Sequence, residues 1–260
     1  MESEVVTGQT DGDITDDAML GGRLQILQPA SGHRAGIDAV MLAAAVPAQP
    51  GELTLEGGAG VGTAGLCLAR RVAGVSVDAL EIDPMLAELA RQNTERNGLA
   101  DAAEVYCGSI ASPPYRITAN SYHHVFMNPP FLEPGAGSLS PHPGRVSAHQ
   151  ESAVGLRDWI KFAVTMARPA GCITLIHRAD RLDDVLAALK GRAGGCEIFP
   201  LWPGNGKSAK RVIVRAYKGN DGPLRLLPGL VLHEAGAKYS QAAEQVLRHA
   251  GALDFTGNQK

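Results

Sequence analysis

The chain has 260 residues, 45% of them hydrophobic and 20% charged, with a net charge of −3, long enough for one large domain with a sizeable core. No run of about 18 apolar residues occurs, which excludes a membrane-spanning helix, and the acidic start Met1-Glu2-Ser3-Glu4 lacks the apolar centre of a secretory signal. The four cysteines, Cys67, Cys107, Cys172 and Cys196, form no Cys-x-x-Cys pair, so buried free thiols in a reducing cytoplasm are expected and no metal site is.

Residues 1–17 hold Glu2, Glu4, Asp11, Asp13, Asp16 and Asp17 but neither Lys nor Arg, and residues 1–19 are read as a mobile acidic arm. The other 243 residues carry 24 basic against 21 acidic side chains, so the negative total does not exclude a polyanionic partner. A hairpin-like pair follows, Arg23-Leu24-Gln25-Ile26-Leu27 with the stretch entering at His33-Arg34, then a helix at 38–46 ended by Pro47 and Pro50. Beyond it, strands are expected at 53–56, 75–81, 103–107, 122–127, 171–177, 196–202 and 211–217, and helices at 62–72, 84–97, 155–168 and 180–192. Asp83 and Pro84 suit an N-cap and first helical residue, and Asn97-Gly98 a stop.

This alternation predicts an α/β fold: a doubly wound, mostly parallel, seven-stranded sheet with right-handed crossovers and a short N-terminal extension. The last two strands are expected as an antiparallel hairpin at the edge. Residues 20–260 are read as one domain, with 20–50 a hairpin and helix and 51–250 the core. The breaker-rich loop from Leu132 to Gln150, carrying His142, Arg145 and His149, is long enough to suggest a lid.

Two motifs fall at strand C-termini, where ligands bind in such sheets. The first is Glu56-Gly57-Gly58-Ala59-Gly60-Val61-Gly62, a glycine turn between strand and helix, followed nineteen residues after Gly62 by Glu81. Glycines let the backbone turn sharply and let a ligand approach, and an acid at the end of the next strand suits the two hydroxyls of a ribose. The acid ahead of the glycines would repel a pyrophosphate and suits the cationic amino acid end of S-adenosylmethionine, with dinucleotide binding as the alternative. The second motif, Asn128-Pro129-Pro130-Phe131, follows the apolar run His124-Val125-Phe126-Met127. An amine conjugated to a π system is a poor nucleophile. The Asn128 and Pro129 carbonyls can accept its two N–H hydrogens and turn its lone pair outward, while Phe131 stacks on the flat acceptor. Read blandly, Asn-Pro is only a turn.

With these motifs in place, the chain resembles the Rossmann-fold S-adenosylmethionine-dependent N-methyltransferases with an Asn-Pro-Pro-Phe motif, most closely the bacterial tRNA1(Val) adenine-37 N6-methyltransferase group. The resemblance runs from about Leu20 to about Leu247 and includes Gly36-Ile37-Asp38-Ala39-Val40-Met41-Leu42, the glycine loop, Glu81 with Asp83-Pro84, the tetrad and Tyr239-Ser240. It implies S-adenosylmethionine bound by Asp38, Glu56, Gly58, Ala59, Gly60, Gly62, Glu81, Ile82, Ser109 and Asn128, with Asn128, Pro129, Pro130 and Phe131 holding the acceptor. In one departure, Gly108-Ser109-Ile110 stands where members often carry an acid for the cofactor's adenine amine. The implied partner is RNA, chiefly tRNA, in the cytoplasm; the oligomeric state, a homodimer included, stays open.

Lys207, Lys210, Arg211, Arg215 and Lys218 fall within twelve residues containing no acid. They are read as a phosphate-contacting patch, carried chiefly by Lys207, Lys210 and Arg211, or as a solvated face. His123, His124, Trp159 and Trp202 are read as structural. Three alternatives remain: a protein glutamine N5-methyltransferase, a small-molecule or O-methyltransferase, and a non-catalytic S-adenosylmethionine- or RNA-binding module.

Overall fold

A computed structural model describes residues 13–32, 34–130 and 154–256. Phe131, His142, Arg145 and His149, and with them the expected lid, lie outside the described residues. The main sheet runs, from one edge, β5 (Ala103–Cys107), β4 (Ser76–Glu81), β3 (Leu53–Gly57), β6 (Tyr122–Met127), β7 (Ala167–Arg178), β9 (Arg211–Lys218) and β8 (Ala193–Trp202). The first five are parallel, and β9 lies antiparallel between β7 and β8. This is the expected doubly wound sheet, with the strand order reversing between β3 and β6. The β8–β9 hairpin is there, but β9 is its inner member. The outer edge of β8 is covered by two-residue strands, β10 (Arg225–Leu226) and β11 (Leu230–Val231), too short to leave a periodic signal.

Helices α1 (Ile37–Ala45), α2 (Thr63–Arg71), α3 (Pro84–Arg96) and α6 (Gln241–His249) bury their apolar stripes on one face of the sheet, meeting Phe126, Ile176, Phe199 and Ile213. Helices α4 (Leu156–Met166) and α5 (Leu182–Leu189) cover the other face, against Leu55, Val125, Leu175 and Val214. None of the described helices is long and apolar enough to cross a membrane. Asp83 caps α3 through the Met85 and Leu86 N–H groups, with Pro84 next, as expected.

The N-terminal hairpin departs from its expected pairing. Its strands are β1 (Ile14–Met19) and β2 (Leu24–Pro29), so the partner of Leu24–Leu27 precedes it and comes from the stretch read as a mobile arm. Its acids are held: Asp17 pairs with Arg34 and Asp16 with Arg96, each at 2.7 Å. Buried Asn93 on α3 fastens the hairpin to the glycine loop, accepting from the Leu27 N–H and donating to the Leu27 and Val61 carbonyls. Cys67, Cys172 and Cys196 are buried free thiols, as expected; Cys107 is exposed.

Candidate active site

The glycine loop leaves β3 beside the switch in strand order. Gly58 sits at φ +67°, and a Cβ there would come within 2.6 Å of Trp159 Cη2, so residue 58 must lack a side chain on both counts. Trp159 is thus a core aromatic lying beneath the loop. The loop's amides are spent internally: the Gly58 and Ala59 N–H groups donate to the Leu80 carbonyl at 2.9 and 3.0 Å, and that of Gly62 to the Ala59 carbonyl at 2.9 Å. The Gly60 N–H donates to Glu81 Oε2 at 2.6 Å. Four donors that a pyrophosphate cradle would turn toward phosphate are therefore occupied, one of them by a carboxylate. This argues against a dinucleotide and fits a cationic ligand.

Glu81 is buried at the end of β4, and its second oxygen accepts from the Asp83 N–H at 2.9 Å. Burial raises its carboxyl above the ordinary range, and these backbone N–H groups work against that shift. Glu81 therefore braces the loop, a role its spacing did not reveal. Glu56 accepts from the Gly65 N–H of α2 at 2.7 Å. Its burial, reinforced by the Glu81 charge, pushes its carboxyl up to about 8 against the pull of the Gly65 N–H. The acid ahead of the glycines is therefore largely protonated at neutral pH without a bound cation, which weakens the charge argument made from its position.

A cavity of about 640 Å³ opens over these strand ends; its wall includes Asp38, Glu56, the Gly58–Gly60 turn, Asn128, Lys210 and Arg211. Asn128, just past β6, contributes a buried side-chain oxygen with no hydrogen-bond partner. Buried acceptors in folded proteins are almost always satisfied, so an orphan at a cavity wall points to a ligand donor. Pro129 is buried behind it and Pro130 exposed. A smaller hollow lies between the loop and the end of β5, lined by residues that include Ile82, Ser109, Ile110, Val154 and Trp159. The Ser109 hydroxyl oxygen already accepts from the Ala111 N–H at 3.2 Å, so it is a poor substitute for an acid.

The basic run divides. Lys207 and Lys210 are exposed at the cavity end of β9, and Arg211 donates through Nε to Asp38 Oδ2 at 2.8 Å. Arg215 is buried: it donates to the Ala45 carbonyl at 2.6 Å, pairs with Glu197 at 3.8 Å and lies 3.4 Å over the Phe255 ring. Lys218, at the far end of β9, bonds Asn120 Oδ1 and the Ala167 carbonyl at 2.6 and 2.8 Å. Arg215 and Lys218 are thus excluded from any patch at the cavity. Alternation places Arg211 and Arg215 together on the face toward α1, where they reach Asp38 and the Ala45 carbonyl. His123 accepts from the Leu53 N–H and His124 pairs with Glu52 at the opposite end of the sheet, both structural.

Residues 32–140 match the methyltransferase small domain family. Together with the sheet order and the cavity, the match makes the chain an S-adenosylmethionine-dependent methyltransferase of Rossmann-like fold. It is similar to the tRNA1(Val) (adenine(37)-N6)-methyltransferase of Porphyromonas gingivalis, 31% identical over 169 residues, which are 63% of this chain and 66% of that one. A protein of the same name from Dickeya chrysanthemi is 24% identical over 83% of this chain and 86% of its own. Among solved structures, a predicted O-methyltransferase from Agrobacterium tumefaciens superposes with a TM-score of 0.68 and 27% identity, covering 83% of this chain and 98% of its own.

Proposed function

We propose that the chain methylates the exocyclic N6 of an adenine in RNA, with a tRNA in the cytoplasm as its substrate. The observation that carries this reading is the unpartnered, buried Asn128 oxygen at the cavity wall. An amine supplies the N–H that this acceptor lacks, whereas an alkoxide or a hydroxyl that has given up its proton supplies none. The names of the relatives from Porphyromonas gingivalis and Dickeya chrysanthemi support adenine N6 and tRNA.

S-adenosylmethionine, when bound, supplies an electrophilic methyl on sulfur. Asp38 holds its methionine end, Glu81 its ribose, Ile82 and Ser109 its adenine, and the closely turned backbone from Gly58 to Gly62 lets it approach. Asn128 and the Pro129 carbonyl accept the two amine hydrogens, Phe131 stacks on the base, and Pro130 stiffens the segment. These acceptors strengthen their bonds as the nitrogen becomes pyramidal and positive, which favours the transition state over the ground state. The product nitrogen is then acidic and loses its proton to water, so no side chain need act as base. Lys207 and Lys210 contact phosphates, and an adenine in a tRNA loop is already partly unstacked, which lowers the cost of bringing it to Asn128.

The test is incubation with methyl-labelled S-adenosylmethionine and total tRNA, followed by nucleoside mass spectrometry. Label in N6-methyladenosine is expected. Label in a ribose 2′-O-methyl group, in a protein glutamine, or only in a small-molecule extract would overturn the acceptor assignment.

A further inference from the structure

Asp38 and Arg211 lie 173 residues apart in sequence yet meet in the cavity wall, Arg211 Nε donating to Asp38 Oδ2 at 2.8 Å. Their side chains keep 23% and 32% of their exposure. A pair this open adds little to stability, so folding alone gives little reason for it. Its location gives a better one. Asp38 sits in the first turn of α1 and Arg211 at the start of β9, in one wall with the Gly58–Gly60 turn and Asn128.

The geometry points to Arg211 as a cofactor-binding residue: with Asp38 it forms a receptor for an α-amino acid zwitterion, Asp38 taking the ammonium and the Arg211 guanidinium the carboxylate of the methionine moiety. The inference rests on the S-adenosylmethionine reading and removes Arg211 from the phosphate-contacting group. Asp38 engages Arg211 through Oδ2, and its Oδ1 is the oxygen assigned to an ammonium. Arg211 also donates through Nη1 to the Lys210 carbonyl at 3.3 Å, so two bonds fix the plane of a fork whose five-donor geometry matches a carboxylate.

The other cations in the same wall suit the role less well. Arg34 is committed to Asp17 Oδ2, Thr15 Oγ1 and the Pro29 carbonyl at 2.7, 2.9 and 3.0 Å. Lys210 is exposed at the rim. A neutral Asp–Arg pair also matches a zwitterion of zero net charge, whereas a lone Asp would hold the ammonium and repel the carboxylate beside it.

Calorimetry on the full chain tests this with two ligands that share a nucleoside and a thioether: S-adenosylhomocysteine, which has the amino acid end, and 5′-methylthioadenosine, which lacks it. Arg211→Gln is expected to weaken S-adenosylhomocysteine by about tenfold or more and to leave methylthioadenosine within about twofold, because only the charged contact is lost. Asp38→Asn is expected to show the same selectivity, which keeps the test open should either variant fold poorly. Equal loss of both ligands, or unchanged S-adenosylhomocysteine binding with weakened RNA binding, would overturn the inference. Failure of the wild-type chain to bind S-adenosylhomocysteine would instead overturn the cofactor reading beneath it.

Discussion

Replacing Glu56 with Gln isolates the one acid of the glycine loop whose charge state the fold controls. Glu56 is 4% exposed, accepts from the Gly65 N–H, and has its carboxyl pushed up to about 8 by burial and by the Glu81 charge. Its folded value lies above its unfolded one. The native chain therefore keeps a proton that the unfolded chain gives up above its ordinary carboxylate range. The resulting stability is fully present below the unfolded value and is lost as pH rises through about 8. At about 1.4 kcal/mol per unit the displacement sets a ceiling of about 5 kcal/mol, and relaxation of the site brings the expected effect to a few kcal/mol.

Gln keeps the side-chain oxygen for Gly65 and removes the titration. Urea midpoints measured from pH 5.5 to 9 are expected to fall more steeply for the wild type, with Glu56→Gln close to it at pH 5.5 and more stable than it at pH 9. The ammonium or sulfonium cation of S-adenosylmethionine beside Glu56 also favours the ionised form, so wild-type binding near pH 7 should release protons that the variant does not. Parallel stability profiles across the range would refute the reasoning and leave Glu56 an ordinary ionised carboxylate.

Three further outcomes are expected. Glu81→Ala should weaken S-adenosylhomocysteine binding by about 1–3 kcal/mol in calorimetry, because it removes the proposed ribose contact and the brace on the Gly60 N–H together; unchanged affinity would contradict both roles. Reversing Lys207 and Lys210 to Glu should weaken RNA binding and lower its salt slope by roughly one unit per lost phosphate contact, with cofactor binding unaffected; identical slopes would return this rim to solvent. Arg215→Ala should cost about 3 kcal/mol in urea unfolding through loss of the Ala45 bond, the Phe255 stack and part of the Glu197 pairing, with no change in the RNA salt slope. A changed slope would place Arg215 on the RNA.

The parallel core was legible because its strands carry apolar residues, and β3, β5 and β6 run into Gly58, Gly108 and Asn128-Pro129 while β4 runs into the Asp83 cap. The glycine loop and Asn128 were legible for the same reason, since both sit where such a run stops. The hairpin was misread because β1 looks like solvent-exposed acid until Arg34 and Arg96 supply its partners from elsewhere in the chain. Arg215 and Lys218 looked alike in a basic run, yet one is buried over Phe255 and the other anchored to Asn120. Charge in a window does not report which end of a strand faces the cleft. The contact of Asp38 with Arg211 is set by the packing of α1 beside β9, for which neither residue carries a local signal.

Asn128→Ala, assayed for turnover on tRNA alongside calorimetry with S-adenosylhomocysteine, tests the central claim most directly. Because the Asn128 oxygen is proposed to hold the acceptor nitrogen as it becomes pyramidal, kcat is expected to fall by about a hundredfold or more while cofactor affinity stays within about twofold. Turnover at the wild-type rate would reduce the tetrad to a turn and contradict the account.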